Sequence, residues 1–156
     1  YTPHSLLHGV RTVEFQTPVY ERLILSFAQK VLTQAGWDTE HAVEQMSTAT
    51  PEDPVFDSLY DDDGVLVERI VDFVDFEVLR YRVEPGAAIS LSPFASYTVV
   101  MGVQGELVLG GTCIGAEQAA LVPAGCSGFK ITNQGAKELC FLLAIPKLPT
   151  LEGEDC

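Results

Sequence analysis

The chain has 156 residues, of which 47% are hydrophobic and 20% are charged, a composition typical of a soluble globular domain. Its 22 acidic residues outnumber 9 basic ones, and a net charge of -13 repels phosphate backbones and anionic lipid. No apolar run approaches the roughly 20 residues of a membrane-spanning helix, and the first residues do not follow the pattern of a secretory signal. We therefore expect a cytoplasmic protein that binds neither nucleic acid nor membranes.

The N-terminal third is predicted to contain a strand and helical segments. Residues 10–16 alternate between apolar and polar side chains, which favours a short strand. Residues 19–34 carry apolar side chains at helical spacing but also include an apolar run that would suit a buried strand, so we expect a strand followed by a helix. Asp38 or Thr39 is suited to cap a short helix that ends near Met46.

The middle of the chain is predicted to be a linker over residues 47–64. It contains prolines, acidic residues and the run Asp61-Asp62-Asp63-Gly64, with no helical or strand periodicity. The aspartates lack the further alternating oxygen ligands of a calcium loop, so a solvated turn is the expected structure.

Residues 65–146 consist of short β-rich runs separated by glycine-containing turns, which is typical of an antiparallel sandwich or barrel. The predicted strands are 65–71, 76–83, 87–91, 97–103, 106–109, 118–122, 129–132 and 137–145. Residues 147–156 are expected to form a flexible acidic tail.

Two stretches within this region have the spacing of a pair of known motifs. From Gly86 to Gly105 the frame is that of a glycine, an H-x-H pair, a glutamate and a second glycine, but the ligand positions hold Ser92, Phe94 and Thr98. The sequence resembles the first motif of cupin barrels, and this resemblance implies an antiparallel, jelly-roll-like β-barrel.

The second cupin motif, P-x-G-x-x-H-x-x-x-N, is similar to the stretch that begins at Pro123. Its histidine position falls on Gly128 and its asparagine position on Thr132. Because hydroxyls, phenyl rings and glycine do not hold transition metals, we expect no metal in this barrel. The alternative is a rearranged polar site that uses nearby side chains, namely Gln104, Cys126 and Asn133.

The N-terminal run Pro3-His4-Ser5, followed by Val13-Glu14, resembles the end of a preceding cupin barrel in type I phosphomannose isomerases. Residues 1–46 would then be the remnant of that barrel. The resemblance implies a zinc enzyme that interconverts aldose and ketose sugar phosphates. In it His4 would be one zinc ligand and Arg22 the nearest candidate for contact with the phosphate.

One imidazole cannot hold zinc, so this chain alone is expected to be inactive even if a longer parent protein is an enzyme. The alternative is a metal-free cupin that binds a sugar or another small molecule, or that forms a homodimer through barrel edges.

Other residues with functional side chains have simpler interpretations. Glu14 is a candidate base only if it faces the barrel interior, and His41 is expected at the surface. Trp37 is expected to anchor packing, with stacking on a sugar as the alternative. The four cysteines form no C-x-x-C pair and are interpreted as reduced thiols: Cys113, Cys126, Cys140 and Cys156.

Overall fold

The computed structural model describes residues 2, 4, 6–17, 23, 39–50 and 52–147. The chain divides into two compact units, Tyr1–Pro54 and Val55–Cys156. In the first unit, helix α1 spans Thr39–Gln45, which confirms the predicted short helix. The described part contains no helix long and apolar enough to cross a membrane.

The prediction of a strand over residues 10–16 is wrong. Residues 10–17 form neither helix nor strand, and a turn at His8-Gly9 precedes them, in which the Val10 amide donates to the Leu7 carbonyl. Alternation alone does not make a strand, because the backbone groups also need a neighbouring strand to pair with. The segment predicted over residues 19–34 lies outside the described residues.

The second unit is built from ten β-strands. Their bounds are β1 Asp57–Asp62, β2 Val65–Asp72, β3 Phe76–Val83, β4 Ala88–Leu91, β5 Thr98–Gln104, β6 Glu106–Leu109, β7 Thr112–Gly115, β8 Ala119–Val122, β9 Phe129–Thr132 and β10 Leu139–Pro146. All strand pairs are antiparallel, so the predicted fold class is confirmed.

The strands form three separate sheets. The largest has the order β1-β2-β3-β10-β5-β8, and the others pair β4 with β9 and β6 with β7. The closed barrel that we predicted is therefore not found among the described strands, which instead form an open antiparallel arrangement.

The hydrophobic core lies between the large sheet and the two small ones. Val100, Phe141 and Leu143 contribute from the large sheet, and Leu107 and Ile131 from the small sheets, all at most 1% exposed. Strand β10 is central in the large sheet, and its residues from Leu139 to Ala144 are all buried. Since strands covered on both faces need no polar alternation, this explains the continuous apolar run of β10.

The predicted linker is wrong over Asp57–Asp62, which form strand β1. This strand is exposed along its whole length and carries three aspartates, so its side chains give no strand pattern. It forms because its backbone pairs with β2.

Asp63 and Gly64, with φ of 51° and 73°, make the two-residue turn between β1 and β2, a conformation that Asp-Gly sequences adopt readily. Strand β7, which follows the Gly110-Gly111 turn, was also missed.

Candidate functional site

The positions of the two motifs meet at one end of the β unit. The loop between β4 and β5 carries Ser92 and Phe94, and the loop between β8 and β9 ends at Gly128. The amide of Gly125 donates to the carbonyl of Phe94 over 3.3 Å, which ties the two loops together. The fold therefore brings Ser92, Phe94 and Gly128 into one region.

The side chains at the first two positions are not arranged as ligands. Ser92 is exposed, whereas Phe94 is half-buried and packs against the hydrophobic core. A phenyl ring has no lone pair to donate to a metal ion. Phe94 therefore fills space at the position where the motif has a histidine.

Thr98 occupies the glutamate position at the start of β5. It is fully buried, and its Oγ1 has no hydrogen-bond partner among the described residues. The neighbouring inward residue of the same strand, Val100, belongs to the core. A neutral hydroxyl in apolar surroundings is a poor ligand for a divalent cation, so Thr98 does not replace the motif's carboxylate.

Gly128, at the histidine position of the second motif, has no room for a side chain. A Cβ atom there would lie 2.5 Å from the Leu91 carbonyl oxygen and 3.5 Å from Cδ of Pro93. The first contact is with backbone, which cannot rotate out of the way. A histidine at this position would therefore require the end of β4 and the start of β9 to separate.

The polar side chains proposed for a rearranged site are used for structure. Asn133 is 3% exposed, and its Nδ2 donates to the carbonyls of Val83 and Lys137, both over 2.8 Å. Its Oδ1 accepts from the Gly135 amide. Gln104 donates to the Glu138 carbonyl over 2.9 Å. These amides are occupied in fastening the β9–β10 connection, a role that the sequence alone did not reveal.

The pKa values of Cys140 and Tyr81, two buried residues of the large sheet, are both raised. Cys113, Cys126 and Cys140 are free thiols. Burial raises the pKa of the Cys140 thiol, which keeps it protonated at neutral pH. Burial, with a smaller effect of the Glu77 charge, raises the pKa of Tyr81 to about 12, so its hydroxyl is not a base near neutral pH.

The residues at the motif positions do not fit a metal ion. Within the described part of the chain, no group of three or more His, Cys, Asp or Glu residues is placed to hold one. Gly128 lies too close to the end of β4 to carry a side chain, and Phe94 packs against the core.

The predicted ligand of the first unit, His4, is exposed. Its Nδ1 lies 3.0 Å from the carbonyl oxygen of Thr2. A carbonyl can only accept, so Nδ1 carries the proton and in the neutral ring Nε2 keeps its lone pair. Glu14 and His41 are exposed, as expected for His41. The predicted Arg22 and Trp37 lie outside the described residues.

The chain is similar in fold to several proteins of known structure. No family model and no curated protein matches the sequence. A cupin-superfamily sugar phosphate isomerase from Silicibacter pomeroyi has 28% identity and a TM-score of 0.49, over 59% of this chain and 69% of that one. A cupin domain from Bordetella pertussis has 18% identity and a TM-score of 0.48, over 57% of this chain and 99% of that one.

A chain from the crystal structure of Rhodobacter sphaeroides SigE in complex with the anti-sigma ChrR has 14% identity and a TM-score of 0.50. The match covers 60% of this chain and 49% of that one, so it spans about half of that protein. The solved structures similar to this chain thus include cupin-domain proteins, the superfamily that the sequence resembles.

Proposed function

We propose that residues 55–147 form a metal-free, non-catalytic module of a longer cupin protein of the sugar phosphate isomerase type. The main support for this proposal is the lack of space at Gly128, where an added Cβ atom would lie 2.5 Å from the Leu91 carbonyl oxygen. A side chain that is sterically excluded cannot be a ligand. The module's role is then structural support of a neighbouring catalytic barrel.

The packing of the interior supports the same role. Core residues from all three sheets are at most 7% exposed, and Phe94 and Cys126 pack against them from the two loops. Apolar side chains thus fill the region in which other cupins would hold a ligand. Such a module contributes stability and surface to the larger protein rather than reactive groups.

Zinc binding tests the module directly. The purified chain would be equilibrated with buffered Zn²⁺ and its affinity measured by competition with a chromophoric chelator, with the His4→Ala variant as control. We expect only weak binding that is lost in His4→Ala, because one imidazole does not make a zinc site. A stoichiometric submicromolar site that survives His4→Ala would contradict the proposal.

The catalytic half of the proposal concerns the neighbouring barrel, to which residues 1–46 would belong. The geometry of His4 supports a ligand role, since an Nδ1–H donated to a backbone carbonyl leaves Nε2 available for a metal. A bound zinc ion would polarise the carbonyl oxygen of a sugar phosphate. In this chain His4 would hold that ion, and Arg22 would bind the phosphate.

The test of the catalytic half uses the native protein from its source cells. Intact mass and zinc content would be measured on the same material, followed by turnover of mannose 6-phosphate. We expect a mass larger than 16.9 kDa, about one zinc per chain and isomerase activity that is lost on His4→Ala substitution. A native mass equal to that of this chain, with neither zinc nor turnover, would leave only the non-catalytic module.

A further inference from the structure

The two edges of the six-stranded sheet differ sharply in character. One edge is β1, whose six residues include Asp57, Asp61 and Asp62, all exposed. The other edge is β8, with the sequence Ala-Ala-Leu-Val, which contains no ionisable residue. Charged side chains on an edge strand discourage pairing with another chain, so β1 is protected and β8 is not.

The outward face beside β8 is also apolar. Leu121 points away from the core, because its partner across β5 is Val99, whereas the inward residue Ala120 pairs with the core residue Val100. Leu121 is 65% exposed, and Val99 and Met101 beside it are half-buried. An exposed leucine next to an open strand edge is therefore the central feature of this surface.

The end strands of the small sheets do not share this feature. All four of their strands are end strands, and the exposed residues of β4 and β7 are small or polar, namely Ala88, Ser90, Thr112 and Cys113. Strand β6 exposes Val108 at 55% but also carries the exposed charge of Glu106, and β9 carries that of Lys130. Among the described residues, no strand pairs with the free side of β8. The combination of an unpaired edge, an uncharged strand and a large exposed apolar side chain is thus found at β8.

We propose that β8 pairs antiparallel with β8 of a second copy of this chain, which joins the two six-stranded sheets into one. A two-fold axis normal to the sheet would place the outward faces of both copies on the same side, with the two Leu121 side chains close to the axis. The strand is short and uncharged, so it is complementary to itself.

Charge distribution favours a second copy paired at this edge over contact elsewhere. The chain carries a net charge of -13, so most of its surface repels another copy. Strands β5 and β8 carry no ionisable side chain, so two copies can pair along the β8 edge without bringing like charges on these strands together. Pairing of β8 with β1 would instead place apolar residues against aspartates. Pairing of β8 with itself closes the assembly as a dimer whose outer edges are both β1.

The oligomeric state of the 156-residue chain would be measured by sedimentation velocity from low to high micromolar concentration. The test variant is Leu121→Glu, and the matched control is Leu59→Glu, which adds the same charge to β1 at a residue that is 46% exposed. We expect a dimer for the unchanged chain and for Leu59→Glu. For Leu121→Glu we expect a dissociation constant at least about tenfold higher. The substitution removes a leucine that the dimer would bury, and it places two glutamates of like charge close to each other.

Hydrogen exchange provides a second readout that does not depend on the variants. The β8 amides that point to the free edge should exchange more slowly as concentration rises, and those of β1 should not. Three outcomes would overturn the proposal. The chain could stay monomeric, Leu121→Glu could dimerise as well as the unchanged chain, or the chain could form open-ended assemblies that both variants weaken. Circular dichroism spectra of both variants would verify that they are folded. Zinc binding plays no part in this test, so its outcome is independent of the proposed function.

Discussion

The ring of Tyr81 stacks on the ring of Phe141, with centroids 4.8 Å apart and ring planes 7° from parallel. The two residues are also direct partners in the pairing of β3 with β10. Phe141 is fully buried, and Tyr81 is 7% exposed. The pair therefore joins two central strands of the large sheet both through the backbone and through the core.

Replacing Phe141 by alanine should be among the most damaging single changes in the β unit. The substitution removes a fully buried ring and leaves a cavity, so we expect the free energy of unfolding to fall by about 3–5 kcal/mol. Urea denaturation of both proteins would measure the difference. The control is Phe73→Ala at the β2–β3 hairpin, where the ring is 58% exposed. There we expect a loss of less than about 1.5 kcal/mol, mainly from its edge contact with Phe76. Equal losses at both sites would contradict the assigned core.

Tyr81 should make the protein less stable in alkali. Its pKa is raised from 10.0 to about 12, first by burial and then by the Glu77 charge. Below pH 10 the hydroxyl is protonated in both the folded and the unfolded chain, so its contribution is constant. Between pH 10 and 12 the unfolded chain releases this proton more readily than the folded chain, so the stability should fall by about 2 kcal/mol over that interval.

The Tyr81→Phe variant isolates this effect from that of the other alkaline groups. It should lose less stability than the unchanged protein between pH 10 and 12, when both are measured by urea denaturation at each pH. Ultraviolet absorbance of the folded protein should show one of the five tyrosines ionising later than the others. If the two proteins lose stability in parallel, Tyr81 has an ordinary pKa.

Sequence patterns predicted those parts of the fold in which the order of apolar and polar residues follows which side chains are buried. Strands β3, β6 and β9 were predicted at their observed bounds, because apolar residues alternate there and glycine turns mark their ends. Strand β1 was missed, since all of its side chains are exposed and only its backbone pairing makes it a strand. The segment over residues 10–16 shows the opposite error, a strand pattern without strand pairing.

The candidate site was predicted in the same partial way. The motif spacing singled out Ser92, Phe94 and Gly128, and the structure places these residues on two loops that meet. Spacing could not reveal that a Gly128 side chain would collide with the Leu91 carbonyl, since that contact joins residues that are far apart in the sequence. The hydrogen bonds of Asn133 to Val83 and Lys137 also had no signal in the sequence.

Asn133→Ala should destabilise the β unit although it removes no catalytic group. The change leaves the Val83 and Lys137 carbonyls without their donor and the Gly135 amide without its acceptor. The bond to Val83 is buried and the other two are part-buried. A buried polar group that loses its partner is costly, so we expect a loss of about 1–3 kcal/mol in thermal or urea unfolding. The neighbouring exposed Gln134→Ala should stay within about 0.5 kcal/mol of the unchanged protein. A neutral Asn133→Ala would show that these hydrogen bonds do not fasten the connection.

Thr98→Val should stabilise the protein, which is the reverse of most core substitutions. The two side chains have nearly the same shape, and the change removes a hydroxyl that is fully buried without a partner among the described residues. An unsatisfied buried hydroxyl costs about 1–3 kcal/mol, so we expect a gain of about 1 kcal/mol or more in the free energy of unfolding. Thr132→Val, at an exposed position of β9, should change it by less than about 0.5 kcal/mol. A clear loss of stability in Thr98→Val would mean that a water molecule or a ligand binds the hydroxyl in solution, and the β unit would then have a polar interior site instead of a closed core.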